Sequence, residues 1–318
     1  MGVLYLTEED VAGLVAMRDA IPVVRRAFAA LGAGAAMNVP RRRAKAPGIV
    51  LHNMHAAAGY LGIVGAKLYT TTRRGARFLV MLYSADSGEL EAMIEADHLG
   101  RLRTGAASGV ATDLMARDEA RNVGLFGGGT QARTQLEAVC AVRGIARVSV
   151  YSRDADRRAR FAAERTKDLG IPVQAVDRPE LAVAGQDIVI TATSSQAPVF
   201  DGRYIESGTH LNVIGSNDLR KAEVDLATVG RADRIVCDSR EACRSEAGDF
   251  VAAIVASATN YERMSDLADV VNGVVPGRET VDEATMFKSV GLAIEDVALG
   301  HEVLSRARER GVGRVLDI

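Results

Sequence analysis

The stretch GLFGGGTQARTQLEAV carries the clearest chemistry in the chain. Gly127, Gly129 and Ala132 fit the spacing G-x-G-x-x-G/A, directly after an apolar run and at the opening of a helical pattern. In that setting the first glycine makes the tight turn and the second admits a pyrophosphate to the backbone. The small third residue permits close helix–strand contact. Thr130 and Gln131 complete the turn, where unpaired N–H groups and the positive end of a helix dipole favour an anion. The spacing therefore points to a dinucleotide. About 20 residues further on, an NAD-preferring site places a carboxylate for the ribose 2′-hydroxyl. Ser152 and Arg153 stand there instead, with Asp154 close by. The forked donors of arginine suit a 2′-phosphate, so the expected cofactor is NADP(H) in preference to NAD(H). Another apolar run, NVIGSND, stops on Gly215, Ser216, Asn217 and Asp218. Strand ends of this kind are where open α/β sheets place their ligands.

These groups need elements to hold them. From residue 118 the chain alternates strand and helix, through NVGLFGG, TQARTQLEAVCAVRG, RVSVYS and RDADRRARFAAERTKDLG. PVQAV, QDIVITATS, HLNVIGS and RIVCDS supply further strands. Nearly continuous apolar strands in such alternation predict an α/β fold with a doubly wound parallel sheet of Rossmann type. The part before it reads differently. Thr7 caps a first helix with Asp10 at its third position, and a second helix runs from about Asp19 to Leu31. GIVLHNM, YLGIVGAKLYTT and RFLVMLYSADSGELEAMIEA then form a meander of strands, and a helix rich in small residues begins at His98. A final helix from about Met286 to Arg310 returns to this first part. The expected domains are 1–117 with 292–318, and 118–291.

Composition excludes several classes. The net charge of -2 gives no electrostatic case for nucleic acid or an anionic membrane. Arg41 to Arg43 and Arg73–Arg74 are short clusters without interleaved aromatics, and on their own read as solvated basic faces. The three cysteines lack metal-type spacing and the five histidines form no HxxxH or HxH pair, so no metal site is expected. A reduced, cytoplasmic protein follows as the expectation. No window approaches about 18 uninterrupted apolar residues, and MGVLYLTEEDVAGLV reads as a strand and a capped helix rather than a signal peptide.

RLRTGAASGVAT, GLFGGGTQA, THLNVIGS and TMFKSVGLAIEDV occur in the order seen in the ornithine cyclodeaminase/mu-crystallin family, which the chain resembles over essentially its whole length. GAKLYTT and the VPR near residue 40 also fall at the expected places. The resemblance implies a homodimer in which a split N-terminal α+β domain binds substrate and joins its sheet to its mate's. It also implies substrates that are amino acids or their cyclic or open imines. Arg41 matches the arginine that clamps the substrate carboxylate, with Arg42 and Arg43 as alternatives in register. Lys67 matches the active-site lysine, Arg103 the second arginine, and Thr104 beside it joins the cofactor contacts. Bidentate arginines recognise a carboxylate with fixed orientation, and a lysine beside two arginines has its ammonium form disfavoured.

Departures from the family pattern bear on the reaction. Glu223 matches a glutamate in KAEVD; counting back from it, the catalytic aspartate of the cyclodeaminase falls on Asn217, and Asp218 is one residue late. An asparagine cannot accept a proton in that role. His52 stands where the cyclodeaminase has a pocket glutamate, and is expected to bind a polar group or act as an acid. The leading expectation is an NAD(P)H-dependent imino-acid reductase or the reverse amino-acid dehydrogenase, with Lys67, Asn217 and His52 at the reacting centre. Thr193, Gly215 and Ser216 would line the nicotinamide. The alternatives are an ornithine- or lysine-type cyclodeaminase that recycles NAD, with Asp218 swung into place, and a binding protein without turnover. Retention of Lys67 and both arginines argues against the last.

Overall fold

The computed structural model describes residues 2–317 and divides into two compact units, Met1–Thr104 with Gly291–Ile318, and Gly105–Val290. In the first unit β1 (Val3–Leu6) leads into α1 (Glu8–Leu14). The Thr7 hydroxyl accepts from Asp10 N–H and the Asp10 carboxylate accepts from Thr7 N–H, a reciprocal cap. Helix α2 (Met17–Gly32) buries Ile21, Val24, Ala27 and Phe28 on one face. Strands β2 (Met37–Ala46), β3 (Ile49–Ala58), β4 (Ile63–Thr72), β5 (Gly75–Ser84) and β6 (Leu90–Glu95) follow as an antiparallel meander. β1 adds parallel to β6. Successive side chains alternate between faces. His52, Met54 and Ala56 of β3 and Gly65, Lys67 and Tyr69 of β4 are buried, whereas Ile49, Leu51 and Val64 are exposed.

Helix α3 (Asp97–Met115) contains the division between the units, which therefore falls inside that helix rather than after residue 117. The change in sequence character marks where strand–helix alternation begins, and that is one helix later. The second unit holds β7 (Asn122–Phe126), α4 (Thr130–Val142), β8 (Arg147–Tyr151), α5 (Ala155–Leu169), β9 (Val173–Ala175), β10 (Ile188–Thr191) and β11 (His210–Val213). Then come α6 (Leu226–Arg231), β12 (Arg234–Cys237), α7 (Arg240–Glu246), α8 (Val251–Val255), β13 (Ser265–Asp266), α9 (Leu267–Val271) and β14 (Thr285–Lys288). The strands form one parallel sheet in the order β13-β12-β14-β11-β10-β7-β8-β9. The order reverses between β7 and β10. With right-handed crossovers on both sides of that reversal, the sheet is doubly wound. Ala132, Leu136 and Val139 of α4 pack with Val123, Val148 and Ile188 in its core.

One expected element is different. The sequence pattern predicts the last helix from Met286, but Thr285–Lys288 is a fully buried strand paired with β11 and β12. A short apolar run carries no period that separates a buried strand from a buried helix. Helix α10 (Ala293–Arg310) starts only after Gly291, whose φ is +83°. It returns to the first unit, packing on β3, β4, β5 and α2, and β15 (Arg314–Leu316) closes the sheet against β1.

Candidate active site

Three buried cations converge in the first unit. β2 has an irregularity between Val39 and Arg42, and it turns Arg41 inward while Arg42 stays exposed and Arg43 half-buried. Arg41 Nε donates to Met54 Sδ at 3.2 Å and Nη2 to the Gly291 carbonyl at 3.3 Å. Lys67 Nζ donates to Asp296 Oδ1 at 2.7 Å. Arg103 donates to the same oxygen through Nε at 3.2 Å and to Glu295 Oε2 through Nη1 at 2.9 Å. Glu295 and Asp296 occupy the first turn of α10, where the helix dipole favours carboxylates. Two glycines make the room. A Cβ on Gly100 would stand 2.8 Å from Lys67 Nζ, and one on Gly291 2.7 Å from Arg103 Nη1.

Burial pushes the Lys67 ammonium down to about 8, opposed by Asp296 and assisted by the charges of Arg103 and Arg41. Among the described residues, the buried charged side chains of this unit are these three cations and two carboxylates. One positive charge is in excess, the complement of one substrate carboxylate. Glu295, Asp296, Gly100 and Gly291 were not singled out from the sequence. Placing the helix start at Met286 put the acidic pair in mid-helix. A start at Ala293 makes Glu295 the third helical residue, where a capping carboxylate is expected, and its Oε1 accepts the Leu292 N–H at 3.1 Å.

His52 shares a hydrogen bond with Thr71 Oγ1 at 3.0 Å and stacks on Tyr69 at 4.1 Å. Tyr69 stacks in turn on Phe78 at 4.9 Å, so three rings in matched register floor the cluster. Burial, and then Arg43 and Arg41, push the imidazole down to about 4. It is neutral at neutral pH, a form in which one ring nitrogen donates and the other accepts. Its Nδ1 is buried without a partner. The Thr104 hydroxyl donates to the Gly100 carbonyl at 2.7 Å, a bond within its own helix.

In the second unit Gly127 takes φ +120°, and a Cβ there would stand 2.5 Å from the Ala192 carbonyl oxygen. Conformation and space both require glycine. Gly129 caps α4 without a side-chain hydrogen bond, which leaves the first-turn amides to a ligand. Ala132 is fully buried, Thr130 exposed and Gln131 half-buried with its Oε1 unpartnered. This cradle fits a pyrophosphate. Asp154 is spent as the cap of α5, accepting the Arg157 N–H at 2.9 Å. Ser152 Oγ donates to the Asp154 carbonyl at 3.2 Å, and Arg153 is exposed. Arg157, in the first turn of α5, lays its Nε 3.0 Å from the Gly128 carbonyl.

Thr193 and Gly215 meet at the ends of β10 and β11, where both donate N–H groups to Glu223. The Ser216 hydroxyl is turned into its own loop, donating to the Asp218 and Lys221 carbonyls. Asn217 is exposed. Arg220 holds the Asp218 carboxylate through Nε at 3.0 Å and Nη2 at 2.6 Å, and those bonds keep the carboxyl well below the usual carboxylate range. A carboxylate so held does not take up a proton near neutral pH.

Known proteins give the same architecture. A Delta(1)-pyrroline-2-carboxylate reductase from Bacillus cereus is 33% identical over 272 residues, covering 83% of each chain. The solved Delta(1)-pyrroline-2-carboxylate reductase of Thermococcus litoralis, in complex with NADH and L-proline, matches with a TM-score of 0.95 at 33% identity, over 99% of this chain and 100% of that one. An archaeal alanine dehydrogenase dimer with bound NAD matches with a TM-score of 0.94 at 31% identity, over 100% of both chains. Residues 3–311 match the model of the ornithine cyclodeaminase/mu-crystallin family, and the chain belongs to that family.

Proposed function

We propose that the protein is an NAD(P)H-dependent reductase of a cyclic or open-chain imino acid, running amino-acid dehydrogenation in reverse. The observation that carries this reading is the buried Arg41–Lys67–Arg103 cluster with its one surplus positive charge. Arg41 and Arg103 hold the substrate carboxylate, and the ring ladder of His52, Tyr69 and Phe78 offers an apolar surface for a small carbon skeleton. Lys67 supplies the proton at the imine nitrogen from a group lowered to about 8. His52, neutral, donates or accepts a hydrogen bond, and Asn217 offers an amide where the cyclodeaminase pattern has a carboxylate. Gly127, Gly129, Thr130, Gln131 and Ala132 hold the pyrophosphate, while Thr193, Gly215 and Ser216 line the nicotinamide. When bound, the reduced dinucleotide supplies a hydride to the imine carbon. An iminium is already electrophilic, so the reaction tolerates the absence of a free carboxylate on the 215–218 loop.

A cyclodeaminase is the alternative, and the capture of Asp218 by Arg220 speaks against it. Pyrroline-2-carboxylate, piperideine-2-carboxylate, and pyruvate with ammonia are the substrates to screen. Turnover of none of them, with ammonia released from ornithine, would favour the alternative.

The preferred cofactor in this reading is NADP(H), since Arg157 lies against the phosphate turn, Arg153 is exposed after β8 and Asp154 is occupied as a cap. Wild-type kcat/KM should favour NADPH over NADH, and Arg153→Asp should narrow the ratio by about tenfold, the worth of one charge-assisted bond. A wild-type preference for NADH contradicts this part. We also assign a homodimer. Met37, Ile49, Leu51 and Val64 expose apolar side chains on the outer face of the meander, and Met37 and Val64 line a cavity of about 320 Å³ that reaches Tyr83. Light scattering should give twice the chain mass; a monomer at micromolar concentration would contradict the assignment. The compartment this reading assigns is the cytoplasm.

A further inference from the structure

Glu223 sits where the pairing of two central strands ends. β10 and β11 run in register to Thr191↔Val213, and the last ladder bond joins Ile214 N–H to the Thr191 carbonyl at 3.0 Å. Beyond it the chains part, and their N–H groups need other acceptors. The fully buried Glu223 carboxylate supplies them. Its Oε1 accepts from Thr193 N–H at 2.6 Å and from the Thr193 hydroxyl at 2.7 Å. Its Oε2 accepts from Gly215 N–H at 2.6 Å and from the Thr191 hydroxyl at 2.9 Å. Four donors fill the acceptor sites of the anion, against burial, which by itself pushes the carboxyl above its ordinary value. The Glu223 backbone is pinned as well. Asp249 Oδ1 accepts its N–H at 2.6 Å, and Asp249 Oδ2 pairs with buried Lys288 at 2.7 Å. The Lys288 ammonium also donates to the Ser216 carbonyl at 2.8 Å. One buried chain of charges thus fixes Thr193, Gly215 and Ser216 together.

We propose that Glu223 is a positioning residue for the nicotinamide half of the cofactor, acting through Thr193 and Gly215. This rests on the dinucleotide reading above. In an open α/β sheet the ligand lies beyond the carboxyl ends of the strands at the reversal of order, and these two residues lie just beyond the carboxyl ends of β10 and β11. The phosphate turn is built separately, by β7 and α4, so the two halves of binding separate in an experiment.

Glu223→Gln keeps the shape and changes only the hydrogen bonding. Whichever way the amide turns, its NH2 meets a backbone N–H that cannot rotate away, that of Thr193 or that of Gly215. The test is calorimetric titration of wild type and variant with NADPH, with NADH, and with the matching ADP-ribose fragments that lack nicotinamide. The complete dinucleotide should bind about tenfold more weakly to the variant, the cost of one unsatisfied buried donor, with fragment affinity unchanged. Thr191→Val, which removes a single hydroxyl donor, should show the same selective loss at about threefold, and it decides the matter if the glutamine variant does not fold. Equal loss for dinucleotide and fragment, or no loss for either, overturns the proposal. A wild type that binds neither overturns the dinucleotide reading itself.

Discussion

Replacing Lys67 with methionine should lower turnover by about a thousandfold, the range of a lost acid–base group, with cofactor affinity unchanged. Lys67 Nζ is the buried ammonium of the cluster, 2.7 Å from Asp296 Oδ1 and 5.2 Å from the Phe78 ring centre. Its lowering to about 8 makes the pH profile diagnostic. Below that value the ammonium is the major form and can donate to the imine nitrogen. As pH rises through it the donor is lost, so kcat/KM for imine reduction should fall. Amine oxidation needs the free base and should rise over the same range. Lys67→Arg retains a cation that does not deprotonate, and should erase that limb in both directions. Turnover of Lys67→Met equal to wild type, or an unchanged profile in Lys67→Arg, would remove the lysine from the mechanism.

The second large effect belongs to Asp296. This side chain is fully buried, and its Oδ1 takes both Lys67 and Arg103. Asp296→Asn leaves three buried cations against Glu295 alone. Breaking a buried pair by removing one partner costs about 3–5 kcal/mol, which for a protein of this size lowers Tm by roughly 10 °C. The same change removes the charge that holds the Lys67 ammonium up, so the Lys67 limb should move to lower pH. A bound carboxylate such as proline restores a negative charge and should raise the variant's Tm more than that of wild type. A fall in Tm with the limb unmoved would show Asp296 to be structural only.

What could be read in the sequence was whatever local chemistry announces. The phosphate turn has a spacing that only a few backbone geometries satisfy, and Gly127 and Ala132 meet those demands in space. Thr7 with Asp10 announced a cap, and alternating apolar runs announced the meander. The cationic cluster was legible through resemblance alone, because Arg41, Lys67 and Arg103 lie on three elements with no shared local pattern. Between Arg41, Arg42 and Arg43 no local rule chooses; the irregularity in β2 does. The acidic half of the cluster was hidden by the strand at Thr285–Lys288, which has no period of its own and moves the helix start down to Ala293, just ahead of Glu295 and Asp296. Glu223 served only as a register mark, since four donors from three other residues become visible only once β10 and β11 are side by side. The one-residue offset between Asn217 and Asp218 gained a physical content, for Asp218 is held by Arg220 and Asn217 lies on the surface of its loop.

The account turns on whether reduced cofactor is consumed. Pyrroline-2-carboxylate and NADPH, mixed with catalytic enzyme, should yield proline with loss of one reduced cofactor for each imine, followed by cofactor absorbance and amino-acid analysis. Ornithine supplied with oxidised cofactor should give no ammonia. Proline and ammonia formed from ornithine, with no net change in reduced cofactor, would contradict the reductase and make the protein a cyclodeaminase.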